Sequence, residues 1–192
     1  MNIKIEVFSH YLFEEHCKQD GLNDGNVEQE KNKAFIDIIG TPECLIYYLD
    51  EGNTKHFFEN HKNVLNLEFD DISTDVVYNG HIFKTMTMGQ AEQAVDFIEE
   101  MVKNGVNYFR ICCRAGMSRS RAFAEWIYRY CQGNDIDVVY EDRNDYTTML
   151  NQGVLLRLNH AYWKKYKMNG YANGEDYDEE LKTPQIREIN RR

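Results

Sequence analysis

The stretch Cys-Arg-Ala-Gly-Met-Ser-Arg-Ser, Cys113 to Ser120, packs a thiol, two guanidinium groups and two hydroxyls into one short turn. A cysteine attacks as its thiolate, and positive surroundings favour that form. Arg119 offers a planar fork that matches two oxygens of a phosphoryl group. Ala115 and Gly116 keep side chains out of the way and permit unusual backbone angles. Successive N–H groups of the turn can then converge on one anion. Ser120 is placed to hydrogen-bond the sulfur. The chemistry these residue types suggest is attack by Cys113 on a bound phosphate ester. Arg114, Ala115, Gly116, Met117, Ser118 and Arg119 would cradle its oxygens.

Such a turn needs elements on both sides to hold it. The apolar run before it, Val106 to Ile111, reads as a strand. After Ser118 the pattern becomes helical, with Phe123, Trp126, Ile127, Tyr130 and Cys131 on one face and "QGN" at 132–134 as its stop. A strand that ends in a turn and opens a helix points the helix N-terminus and its dipole at the anion. Upstream, Ala91, Ala94, Val95, Ile98, Met101 and Val102 form another helical face, ended by Gly105. Further strands read at Ile3 to Val7, Ala34 to Ile39 and Val64 to Phe69, and further helices at Glu43 to Leu49 and Leu155 to Tyr166. Alternating strands and helices predict an α/β domain. Its central sheet would be mostly parallel or mixed, with about four to five strands and helices packed on it.

The C-x5-R-S pattern between a strand and a helix resembles the signature of the cysteine-dependent protein tyrosine phosphatase superfamily. The inner residues Ala115, Gly116, Ser118, Arg119 and Ser120 resemble its dual-specificity branch most. The stretch "QAVDFIEEMVKNGVNYFRICC" is similar to the helix and strand that precede the loop there. The resemblance implies a phosphatase-like fold and a cysteinyl-phosphate intermediate on Cys113. Oxygens are held by the loop and Arg119, and Ser120 eases departure of the thiolate. It implies phosphotyrosine as substrate, with phosphoserine and phosphothreonine as further possibilities, carried on a protein or peptide. The mechanism calls for no cofactor and no metal. One position departs from the pattern: the residue before the nucleophile is usually His and here is Cys112. The preferred reading of Cys112 is a small buried residue; a vicinal disulfide with Cys113 under oxidation is the second.

The resemblance also implies an aspartate general acid on a separate upstream loop. Leu65, Leu67 and Phe69 alternate as a half-buried strand, and Asp70 and Asp71 stand at its end. Strand parity places Asp71 on the side of Phe69 and favours it over Asp70 as the acid. Asp71 lies farther from Cys113 than in many compact dual-specificity enzymes, and "TDVVYNGHIFKTMT" reads as an inserted loop. Asp75 and His81 in that loop are next in line. Arg114 is evenly balanced between a substrate contact and a solvent-facing residue. Lys164, Lys165 and Lys167 read as the solvated side of a packed helix.

The rest of the chain bounds these expectations. Its 192 residues suit one domain, here placed at 1–168, with a polar extension at 169–192. Residues 18 to 33 are polar and read as irregular. The net charge of −10 disfavours a nucleic-acid partner. No stretch approaches the roughly 18 to 20 apolar residues of a membrane span, and the N-terminus lacks a signal-peptide pattern, so a cytoplasmic protein without a membrane partner is expected. Five cysteines without a CxxC pair do not suggest a disulfide framework. His10, His16, His56, His61 and His160 show no metal-ligand spacing along the chain. The oligomeric state is open. Rival functions are a phosphoinositide or other non-protein phosphatase, for which Arg114 is a lone basic residue inside the loop, and a pseudophosphatase that binds phosphate without turnover. An RNA triphosphatase and a redox or arsenate-reducing thiol are more distant alternatives.

Overall fold

Apolar residues dense on both faces of three segments place those segments in the middle of a sheet. The structure, a computed structural model describing residues 2–42, 55–142, 150–168 and 187–188, shows this directly. Strands β1 (Asn2–Ser9), β2 (Lys33–Ile39), β3 (Val64–Glu68), β6 (Tyr108–Cys113) and β7 (Asp137–Asp142) form one five-stranded sheet in the order β3-β2-β6-β1-β7. Every pairing is parallel. The α/β fold class expected from the alternation is therefore present, and parallel strands covered on both faces explain the near-continuous apolar runs.

Among the described residues four helices flank the sheet: α1 (His10–Gln19), α2 (Met88–Lys103), α3 (Arg119–Gly133) and α4 (Gln152–Tyr166). Thr87 and Gln90 begin α2 with reciprocal side-chain and backbone hydrogen bonds. Its end is equally specific. Gly105 at φ +85° donates to Val102 O, and Val106 N donates to Met101 O, at 3.1 and 3.0 Å. This pair of bonds terminates the helix and turns the chain into the run toward β6.

The sheet has two different cores. On one side, Ile3, Ile5, Val7, Ile36, Ile38, Phe109, Ile111 and Cys113 pack with the inner faces of α2, α3 and α4. On the other, Phe8, Phe13, Phe35, Phe58, Cys17 and Cys112 form a smaller aromatic core beneath α1. Phe13 meets Phe35 and Phe58 edge-on at 6.2 Å each. Phe13 is fully buried, and truncating such a ring costs about 3–5 kcal/mol.

Several elements were not expected from the sequence. Helix α1 follows β1 immediately; its buried residues His10, Phe13 and Cys17 lie at helical spacing, and Ser9 caps it by accepting from Leu12 N. Strand β7 forms the sheet edge. The inserted loop is a hairpin, β4 (Val76–Tyr78) and β5 (His81–Phe83), paired antiparallel. Asn79 and Gly80 connect the two at φ +50° and +80°. Positive φ at both central residues matches the right-handed twist of a tight hairpin, which Asn-Gly favours. A short strand β8 (Arg187–Glu188) pairs parallel with β4. The expected helix at Glu43 to Leu49, and most of the extension at 169–192, lie outside the described residues. Within residues 18 to 33, a 3-10 turn spans Val27–Gln29. Among the described residues no helix is long and apolar enough to cross a membrane.

Candidate active site

Strand β6 carries Cys113 to the carboxyl end of the sheet, where open α/β sheets present their ligand crevices. The strand runs two residues farther than the periodicity suggested and includes the cysteine itself. The chain then turns at Gly116, whose φ of +67° disfavours a side chain. The Gly116 amide donates to Cys113 O at 3.2 Å and so closes the turn. Helix α3 begins at Arg119. Cys113 is almost fully buried, and its Sγ lies 3.1 Å from Ser120 Oγ. A hydroxyl at that distance can donate to a thiolate and can stabilise it when it leaves.

Arg119 is 5% exposed, so its charge needs partners within the fold. Its Nη1 donates to Phe69 O at 2.6 Å and Ile39 O at 3.1 Å. The ends of β2 and β3 thus grip one prong of the guanidinium from below. Its Nε is buried and has no hydrogen-bond partner. A buried donor left in this state is expensive, and an anion in the adjacent cavity is a partner of the right sign. That cavity has a volume of about 240 Å³. Cys113, Arg114, Ala115, Met117, Ser118 and Arg119 line one side of it. Asp70, Asp71, Ile72 and Phe83 line the other. Of the expected cradle, Gly116 is absent from the lining, and Ser120 is fully buried behind the sulfur.

The two neighbouring aspartates are in different situations. Asp70 is 1% exposed and accepts from Thr41 N, Thr41 Oγ1 and Lys84 N, at 2.9, 2.8 and 2.8 Å. It ties the loop after β2 to the end of the hairpin. Asp71 is exposed at the cavity rim. Its Oδ1 accepts from Ser118 Oγ at 2.8 Å and from Asn151 Nδ2 at 2.7 Å. Ser118 occupies the N-cap position of α3 but makes no capping bond; its hydroxyl is used to hold Asp71 over the loop.

Asn151 was not singled out from the sequence. It caps α4 by accepting from Val154 N at 3.0 Å, and its own N–H donates to Ser118 O at 3.4 Å. One buried residue therefore links α4 and Asp71 through its side chain and the Cys113 loop through its backbone N–H. Asn three residues before an apolar helical run is a recognisable cap signal, though its contact to Asp71 is not. Ile72, on the loop after β3, and Phe83, at the end of β5, were also unassigned, and both line the cavity. Asp75 is turned away and accepts from Thr85 N at 2.8 Å, and His81 does not line the cavity. Lys164 and Lys165 bind Glu92, Asp96 and Glu99 of α2, at a distance from Cys113 set by the packing of α4.

Cys112 points to the other face. Its Sγ donates to Asp37 Oδ1 at 3.1 Å, and both it and Cys113 are free thiols. The two side chains enter separate cores, an arrangement opposed to a vicinal disulfide, which needs sulfurs that converge. The loop is also tied from that face, since His10 N donates to Arg114 O at 3.3 Å. No protein-family model matches the chain, and no curated protein matches it.

Proposed function

We propose that the chain is a cysteine-dependent phosphatase acting on phosphotyrosine in proteins or peptides, with phosphoserine and phosphothreonine as further substrates. One observation carries the reading: a single cavity holds a buried thiol, a buried arginine with an orphan donor, and a carboxylate from a separate loop. The resemblance of Cys113 to Ser120 to the loop of the protein tyrosine phosphatase superfamily supports it independently. Apolar walls at Ile72, Phe83 and Met117 suit an aryl ring better than a charged inositol. That observation ranks phosphoinositides second.

In this mechanism the Cys113 thiolate attacks phosphorus as the ester P–O bond breaks. Asp71 passes its proton to the departing oxygen, and a cysteinyl-phosphate forms. Water then attacks that phosphorus, Asp71 takes the water's proton, and the S–P bond breaks to release inorganic phosphate. Ser120 donates to the sulfur as it leaves. Arg119 and the loop amides hold the oxygens in which charge builds up, and such preorganised donors supply a large share of catalysis.

The test is hydrolysis of a chromogenic aryl phosphate and a phosphotyrosine peptide by the wild type and by Cys113→Ser. Release of phenol that depends on Cys113 supports the enzyme. Phosphate or vanadate binding without release identifies a recognition module instead. Arg119→Lys should also be severely impaired, because an ammonium lacks the planar two-pronged contact.

A further inference from the structure

Beneath the Cys113 loop, on the face that does not carry the cavity, three strands bring together a second set of reactive side chains. His10 starts α1 at the end of β1, Asp37 lies in β2 and Cys112 lies in β6. All three are at most 1% exposed. One ligand atom from each lies within 4.8 Å of the others. Asp37 Oδ1 is 3.1 Å from Cys112 Sγ, and Asp37 Oδ2 is 3.4 Å from His10 Nε2. His56 joins from the following loop, with Nδ1 buried and 3.4 Å from the same Oδ2. We propose that His10, Asp37 and Cys112 are ligands of a structural zinc ion, with His56, which contacts the same Asp37 carboxylate, turning in as the fourth.

The spacing fits that ion. Zinc binds imidazole nitrogen and carboxylate oxygen near 2.0 Å and thiolate near 2.3 Å in a tetrahedron, so its ligand atoms stand about 3.3–3.8 Å apart. The two nitrogen–carboxylate separations of 3.4 Å fall within that range, and the Sγ–Oδ1 separation of 3.1 Å is slightly shorter. The outer contacts also fit. His10 Nδ1 faces Glu14 Oε1 at 3.4 Å, one helical turn on. A carboxylate on one ring nitrogen holds its proton there and turns the lone pair of the other toward the ion. With the proton on Nδ1, Nε2 of His10 would be the nitrogen that meets a cation bound at Asp37.

Charge balance points the same way. A carboxylate this deep costs several kcal/mol unless it is compensated. Zn²⁺ with one thiolate, one carboxylate and two neutral imidazoles is neutral overall. Binding displaces the Cys112 thiol proton to solvent, and no electron is transferred. The site borders the Cys113 loop twice: Cys112 precedes the nucleophile, and His10 N holds Arg114 O. An ion here would fix the strand end from which the loop departs. Spacing along the chain gave no hint of it, because the ligands come from the start of α1, from β2, from β6 and from the loop that carries His56. The inference stands apart from the phosphatase reading, since it needs no turnover at Cys113.

The full chain, reduced and stripped of metal, is titrated with Zn²⁺ alone and with Co²⁺ alone. One equivalent should bind. Co²⁺ should give thiolate charge-transfer absorption and the strong visible bands of a tetrahedral site, both erased by Zn²⁺. Cys112→Ser should lose the charge-transfer band, and Cys113→Ser should keep it. Glu14→Gln alters only an outer, partly exposed partner, so it tests the site even where Cys112→Ser does not fold. It should weaken binding by about 10- to 100-fold. Failure of the folded wild type to take up either metal would overturn the proposal and leave a protonated His10 balancing Asp37. So would a charge-transfer band lost in Cys113→Ser but kept in Cys112→Ser, or an affinity unchanged in Glu14→Gln.

Discussion

Cys112 and Cys113 are neighbours on one strand, yet they belong to different regions of the molecule. The Cys112 side is sealed: no solvent reaches the thiol, and burial together with the nearby Asp37 carboxylate pushes it well above its ordinary pKa. The Cys113 side opens on a cavity with a guanidinium, a hydroxyl and the first turn of a helix around the sulfur. The difference teaches that a cysteine's chemistry is set by what its face of the sheet is packed against. Strand alternation assigns the faces, and the helices on each side assign the environments.

The sharpest way to break this comparison is to remove each sulfur in turn. Cys113→Ser should reduce aryl phosphate hydrolysis to background while vanadate still binds. Cys112→Ser, judged per folded molecule, should retain Cys113-dependent turnover. If loss of Cys112 alone abolishes turnover in folded protein, the two faces are not separable. Alkylation gives a second view. Among the described cysteines, Cys113, which lines the cavity, should react first, and Cys17 should resist, since burial pushes the Cys17 thiol up to about 12.

A similar contrast holds between Asp70 and Asp71. Asp71→Ala should slow phosphotyrosine hydrolysis by on the order of 10² to 10⁴, as for general acids broadly. It should matter much less for a phenol that leaves without a proton, and the basic limb of the pH–rate profile should flatten. Asp70→Ala should leave that limb in place but destabilise the fold by about 1–3 kcal/mol or more, because Thr41 and Lys84 amides lose their acceptor. Denaturant unfolding measures the second effect. A flattened limb in Asp70→Ala with a normal one in Asp71→Ala would reverse the assignment.

Asn151→Ala comes next in size. Loss of the α4 cap costs roughly 1 kcal/mol. Release of Asp71 should lower kcat for poor leaving groups by up to on the order of 10², as small misplacements of catalytic groups do. An equal loss with good and poor leaving groups would show that Asn151 supports the loop generally rather than the acid.

The smallest effect lies at the far end of α3. Burial raises the Cys131 thiol to about 11, and burial with Glu99 nearby raises the Tyr130 phenol to about 12. Both groups hold their protons more tightly folded than unfolded. Their contribution to stability is therefore complete below about pH 9 and is lost as pH rises through the folded values. Tm should fall across that window, and falling less in a Cys131→Val, Tyr130→Phe variant would confirm the source. Stability unchanged between pH 9 and 11 would count against it.

Local pattern made much of this protein legible. Alternating apolar residues located β1 and β3, short apolar runs located β2 and β6, and the helical faces located α2, α3 and α4, because the sides an element buries leave a mark in its sequence. The Cys113 loop was equally readable, since its groups act through a turn that is contiguous in the chain. The hairpin was missed although Asn79-Gly80 is a strong signal, and α1 was missed because a polar sequence carries only His10, Phe13 and Cys17 on its buried face. Other features belong to no local pattern. That Asp70 is sealed by Thr41 while Asp71 meets Ser118 and Asn151 depends on where the ends of β2 and β3, the hairpin and the α4 N-terminus come to rest. The meeting of His10, Asp37 and Cys112 depends on the order β2-β6-β1. Contacts between residues far apart in sequence arise from strand order and helix packing, and only the tertiary structure decides those.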